Sequence, residues 1–245
     1  MIEFDDALET VLGNGDEWQC WRALRLSGES LPQMPRLPDQ DDEGGFSGFR
    51  GTPSAGATGW GLCLLLLLEL GDAPPAVVAA DWLEDRRTPA GAWIEAPEEV
   101  PGEEIVPGGG RVWATASATC ALLAAGRDPG RRPLDLLRGE ADLQGGFTGG
   151  AYPTFAAAGA FWIAEGPKTE MSEWGLRWSR EATEAWWGPW EWATALTFWG
   201  AARVPSEHPS VDRFLDELRD AGERSGWPED VELTLRSLEL MNYFD

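Results

Sequence analysis

The sequence predicts an all-α protein, an (α/α)6 toroid built from helical hairpins. Three observations predict it. Apolar residues recur at helical spacing along most of the chain, and no segment alternates apolar with polar residues as a half-buried strand does. The helical segments are of two kinds, amphipathic ones and ones dense in Ala, Gly and Leu with few charges. A turn carrying glycine and an aromatic residue falls between them several times, which marks an internal repeat.

The repeat is clearest over residues 91–126. There a Gly-Ala-Trp turn leads through a loop rich in Pro, Gly and Glu into a small-residue helix. The plan returns, shortened, at Gly188-Pro189-Trp190. Trp113-Ala114-Thr115-Ala116 of the first copy matches Trp192-Ala193-Thr194-Ala195 of the second.

In order, the first pair places an outer helix at 6–12 and an inner helix at 18–26. Prolines at 32, 35 and 38 deny a long helix over 28–42. Gly44-Gly45-Phe46 is the second turn, and its inner helix covers 54–70. Pair three has 75–85 outside and 112–125 inside, about the turn at 91–93. Pair four has 133–140 and 152–164 about Gln144-Gly145-Gly146-Phe147. Pair five has 171–186 and 191–203 about 188–190. Pair six has 210–223 and 228–241 about Gly226-Trp227, with Pro228 suited to a first helical turn. In its outer helix Phe214, Leu215 and Leu218 share one stripe.

The chain has 245 residues, which we read as one domain over 1–245, and 43% hydrophobic residues suffice for a core. A formal charge of −23 argues against nucleic acid, whose phosphates call for a basic face, and against an anionic membrane surface. Lys168 is the only lysine, a composition that fits a GC-rich genome or adaptation to high salt. The apolar run over 62–70 is too short to span a bilayer, and the N-terminal residues have no signal-peptide pattern. Cys20, Cys63 and Cys120 have neither disulfide nor zinc spacing, and a reducing cytoplasm is the expected location.

The turns DDEGGF (41–46), GAW (91–93), LQGGF (143–147), GPW (188–190) and GW (226–227) resemble the repeat of the terpenoid-cyclase and protein-prenyltransferase superfamily. The likeness covers nearly the whole chain, though only Gln144 supplies the motif's glutamine ahead of Gly-Gly. The aromatic at each turn is expected to pack over the next helix and tie hairpins together.

The resemblance implies chemistry at several places. Class II cyclases protonate an alkene or epoxide with an aspartic acid of a D-x-D-D motif, and Asp39-Gln40-Asp41-Asp42 matches it. Clustered carboxylates in a dry pocket hold such an acid protonated. The segment then runs into Glu43-Gly44-Gly45-Phe46 rather than into a helix, so an acidic turn is the competing reading. Glu191 opens an inner helix, where the family places catalytic groups, although a carboxylate there also suits the helix dipole. Trp60, Trp113, Tyr152, Phe155 and Trp192 fall on inner helices and are the expected substrate wall, against the alternative of core filling.

The only histidine, His208, has no nearby cysteine, which counts against a zinc prenyltransferase or lanthipeptide cyclase. No metal motif is visible. No cofactor is expected, with Mg2+ an option if the substrate is a diphosphate. The leading expectation is acid-initiated cyclisation of a linear isoprenoid. A non-catalytic toroid that binds an apolar ligand or a protein partner is the second. A carbohydrate-active enzyme using paired carboxylates such as Glu191 and Asp230 is the third.

Overall fold

The computed structural model describes residues 4–48, 50–101, 106–182, 187–225 and 230–245. Among them the chain is all-helical, with no strand longer than an isolated bridge. The helices are α1 (Phe4–Asn14), α2 (Glu17–Leu26), α3 (Ala55–Leu67), α4 (Pro74–Asp85), α5 (Gly109–Ala124), α6 (Arg131–Glu140), α7 (Ala151–Glu165), α8 (Glu170–Glu181), α9 (Pro189–Ala201), α10 (Pro209–Ser225) and α11 (Val231–Phe244). A 3-10 turn covers Pro97–Glu99. The turn read at Gly226-Trp227 and the Pro228 helix start lie outside the described residues, as do residues 183–186 of the fifth outer helix.

Local chemistry sets these boundaries. Asp16 accepts from Gln19 N while the Gln19 side chain accepts from Asp16 N, a capping box that starts α2. Ser54 and Asp230 cap α3 and α11 through Ala57 N and Leu233 N. Proline occupies the first turns of α4 and α9. The α3 helix stops at Leu67, short of the expected Leu70. Glu69 takes a left-handed conformation (φ 56°), and Leu70 N donates back to Leu65 O. The same stop, with the left-handed residue at Arg203, ends α9.

The apolar helices pack in a circuit: α3 on α5, α5 on α7, α7 on α9, and α9 back on α3. α9 also packs on α11, and α11 on α2. The amphipathic helices lie outside, α4 against α3 and α5, α6 against α5 and α7, α8 against α7, α10 against α8 and α9, and α1 against α2 and α11. On α10 the buried stripe is Val211, Phe214, Leu215 and Leu218. Small residues permit the close inner contacts. Gly59 of α3 lies against Ser117 of α5, where a Cβ would stand 2.5 Å from the Ser117 carbonyl carbon. Ser117 Oγ then donates to Gly56 O at 2.7 Å.

The main core contains most of the buried aromatic residues, with Phe155, Phe198, Trp199 and Phe214 fully enclosed. A second, small cluster of Ala7, Leu8, Val11, Ala23, Leu235 and Leu238 joins α1 and α2 to α11. No helix among the described residues is long and apolar enough to cross a membrane.

Candidate functional site

The three aspartates of the DQDD segment separate. Asp41 is a turn acceptor: its Oδ1 takes Glu43 N at 3.0 Å and Gly45 N at 2.9 Å. Asp142 does the same in the later repeat, taking Gln144 N at 2.7 Å and Gly146 N at 3.0 Å. Both turns need a left-handed glycine, Gly44 at φ 103° and Gly145 at φ 98°. Asp42 is exposed and pairs with Arg36 at 2.7 Å. Gln40 fastens the first turn to α4 by donating to Gly44 O and Pro75 O. Of the three, Asp39 lines the cavity described below.

Glu191 belongs to the helix start. Its Oε2 accepts from Gly188 N at 2.7 Å, and its Oε1 accepts from the Tyr152 hydroxyl at 2.5 Å. Burial, reinforced by Glu191, raises the Tyr152 phenol above its ordinary value. Trp113 stands edge-on to Tyr152 and Phe198, and Phe155 packs edge-on to Trp199 and Phe214. Trp192 is buried, and its Nε1 finds no hydrogen-bond partner. Of the five aromatics expected to line a substrate site, Trp60 faces the cavity, whereas Trp113, Tyr152, Phe155 and Trp192 fill the core among α5, α7 and α9.

The turn aromatics Phe46, Trp93 and Phe147 are buried, the Phe46 ring against Gly61 of α3, Trp93 Nε1 donating to Leu83 O of α4, and Phe147 stacked on Phe161 of α7. Each donates its backbone N–H to a threonine hydroxyl of the following inner helix, Thr58, Thr115 and Thr154. Trp190 departs from that pattern. It reaches Trp60, with ring centroids 6.4 Å apart, and its Nε1 donates to Asp230 at 3.2 Å.

The cavity, about 400 Å3, lies among α2, residues 37–47, α3, the start of α9 and α11. That size is within the range of small-ligand sites, about 300–1,000 Å3. Trp18, Trp60 and Trp190 wall it, and Leu37, Phe46, Leu64 and Leu65 supply further apolar surface. Asp39 stands exposed at its mouth. Partial burial, then the nearby carboxylates of Glu232 and Asp16, raise the Asp39 carboxyl above its ordinary value. Asp230, the other member of the suggested carboxylate pair, lines the cavity, but Glu191 is not among the lining residues.

A buried charge cluster forms the deep polar wall, and sequence reading missed all of it. Arg22 is 1% exposed; it donates to both Glu239 oxygens at 2.8 and 2.5 Å and to both Glu232 oxygens at 2.9 and 2.8 Å. Arg236, 2% exposed, donates from Nη2 to Glu232 Oε1 at 2.6 Å. Its Nε and Nη1 have no partner, and its guanidinium lies over the Trp60 ring at 4.6 Å. Burial alone would raise Glu232, yet Arg22 and then Arg236 outweigh it and hold the carboxyl at about 2. For Arg22 the attraction of Glu232 and Glu239 overcomes burial, and its pKa rises. For Arg236 burial prevails over Glu232, and its pKa falls. The two arginines are thus unequally served.

A second buried acidic group lies at the N-terminus of α3. Glu95 Oε1 accepts from Gly56 N at 3.0 Å, while the second oxygens of both Glu95 and Glu99 are buried without partners. Burial pushes Glu95 up to about 7, against hydrogen bonds from Gly56, Ala55 and Ser54, with the Glu99 charge adding to the rise. His208 is 3.8 Å from Glu173 and packs edge-on to Trp162. Among the described residues no three His, Cys, Asp or Glu side chains are grouped to hold a metal ion. No protein-family model matches the sequence, and no curated protein is similar to it.

Proposed function

We propose that the chain is an (α/α)6 toroid of the terpenoid-cyclase kind, that it takes a linear isoprenoid into the tryptophan-walled cavity, and that Asp39 starts its cyclisation. The observation that carries this reading is a carboxyl of raised pKa at the mouth of an aromatic cavity. A bound apolar chain would cover that mouth and strip water from Asp39, keeping more of its carboxyl in the protonated form.

In the proposed step the Asp39 hydroxyl transfers its proton to one carbon of a terminal double bond. The electron pair of a second double bond closes the ring onto the resulting cation. Loss of a proton from the cyclised cation makes the product an isomer of the substrate, and Asp39 recovers its proton from water. The ring faces of Trp18 and Trp190 would favour the cationic species. The support for the toroid is the packing of apolar helices inside amphipathic ones.

The test is incubation with farnesol, squalene, and farnesyl and geranylgeranyl diphosphate, the latter two with magnesium, at low and high salt. Extracts are analysed by gas chromatography–mass spectrometry, and Asp39→Asn is run alongside. A cyclic isomer that disappears in Asp39→Asn is expected. Product formation that survives the substitution, or no product from any substrate, refutes the reading. One observation favours a second function, a non-catalytic binding module: Arg236 already covers a face of Trp60 that a cation would otherwise use.

A further inference from the structure

Two cavities lie along the same three helices. The tryptophan-walled one takes the N-terminal parts of α2, α3 and α11, with Trp18, Trp60 and Glu232 among its walls. A second, about 530 Å3, takes their C-terminal ends, with Leu26, Leu67 and Tyr243. The three helices therefore run in the same sense past both. Among the described residues, Arg22 is the one that lines both cavities. On α11 the first cavity ends at Arg236 and the second begins at Glu239; on α3 the boundary falls between Leu65 and Leu67. At the helical rise of 1.5 Å per residue, the two are about 3–5 Å apart along these helices, one layer of side chains. That layer is the Arg22–Glu239 pair. Nε and Nη2 of Arg22 hold the Glu239 carboxylate at two points, 2.8 and 2.5 Å, and Nη1 holds Glu232. Swinging Arg22 aside would break charge-assisted hydrogen bonds to both carboxylates, so the layer is a fixed floor.

We propose that Arg22, fastened by Glu239, sets the length of apolar chain that the tryptophan-walled cavity accepts, and that the second cavity continues the same channel behind it. This rests on the ligand reading above and adds to it a limit on chain length. A chain entering past Asp39 lies along Trp18 and Trp60 and stops at Arg22. The floor makes no demand on the chain for a counter-charge, because Glu232 and Glu239 already neutralise the guanidinium. Each carbon placed inside adds its transfer free energy, whereas carbons beyond the floor's limit stay outside the mouth in water and add little. With the layer removed, the chain end would reach the leucines of the second cavity, Leu26, Leu31, Leu67 and Leu68.

The experiment measures binding of geraniol, farnesol and geranylgeraniol, each one isoprene unit longer than the last, by quenching of tryptophan fluorescence, confirmed by calorimetry. Three proteins are compared. Arg22→Ala with Glu239→Ala opens the layer and removes one charge of each sign. Arg22→Met with Glu239→Leu removes the same charges and refills the layer. On the parent, geranylgeraniol is expected to bind within about threefold of farnesol, because the added unit finds no room. In the alanine double variant geranylgeraniol should gain about 10-fold or more over farnesol, the worth of burying part of one further unit. The refilled variant should keep the parent's profile, an outcome that separates the floor from the mere loss of an ion pair. A steady gain through geranylgeraniol on the parent overturns the proposal, and that comparison stands even where the alanine variant fails to fold. So does an alanine variant with the parent's profile, or a refilled variant that gains as the alanine one does. No binding of any alcohol refutes the isoprenoid cavity and this proposal together. The expected length profile with no cyclised product from any isoprenoid refutes the Asp39 chemistry alone.

Discussion

Replacing Glu95 with glutamine should change how stability depends on pH, and the size of the change follows from the site. Glu95 is held up to about 7 from an ordinary value of 4.5, chiefly by burial. A carboxyl raised in the folded state binds its proton more tightly there than in the unfolded chain. Its favourable contribution is therefore complete below about pH 4.5 and is lost as pH rises to about 7. Each pKa unit corresponds to about 1.4 kcal/mol, so the loss over that window is about 3 kcal/mol. Glutamine keeps an oxygen for Gly56 N and has no proton to lose. Urea unfolding of the two proteins, followed by circular dichroism at pH 5, 6, 7 and 8, isolates this group together with its coupling to Glu99, because titrations of groups that do not interact with Glu95 cancel in the difference. The variant should gain on the parent by about 1 kcal/mol per pH unit up to pH 7 and then run parallel to it. A difference that stays flat from pH 5 to 8 would refute the reasoning. So would a difference of opposite slope.

The buried charge cluster and the helix ends give two further expectations. Arg22→Met strands Glu239, which is 3% exposed, and should cost about 3–5 kcal/mol by urea unfolding. Arg22→Met combined with Glu239→Leu should recover most of that loss, and a double variant no better than the single one contradicts the ion-pair account. Glu69→Gly relieves a left-handed non-glycine residue (φ 56°) and should stabilise by about 1 kcal/mol, read as a rise in melting temperature.

The helices were legible because their periodicity is local information. Amphipathic and apolar segments occur where sequence spacing puts them, and the turn glycines and aromatics mark most of the boundaries. The end of α3 was misplaced by three residues because Leu68 to Leu70 continue the apolar run, while the left-handed Glu69 gives no compositional signal. The role of Asp41 was open to view in the alignment of DDEGGF with DLQGGF, since Asp142 occupies the same place without any D-x-D-D around it. Whether an inner-helix aromatic faces a cavity or the core depends on helix rotation, which residue type does not encode. Trp60 and Trp113 both fall on inner helices, yet Trp60 lines the cavity and Trp113 packs edge-on to Tyr152. The charge cluster was the least visible, because Arg22 and Glu239 are 217 positions apart and neither belongs to a motif.

The joint between α2 and α11 also has a mechanical meaning. The first helices meet the last one, so the two ends of the described chain are clamped by a small apolar cluster and the Arg22 ion pairs. Tension applied to the ends loads this clamp directly, while the contact of α3 with α9 lies behind it. The first rupture under force therefore separates α2 from α11. Those two helices are walls of the cavity. A pulling trace should show an early, small extension with most helices still in place, and a ligand filling the cavity between these two helices should raise the force at which that step occurs.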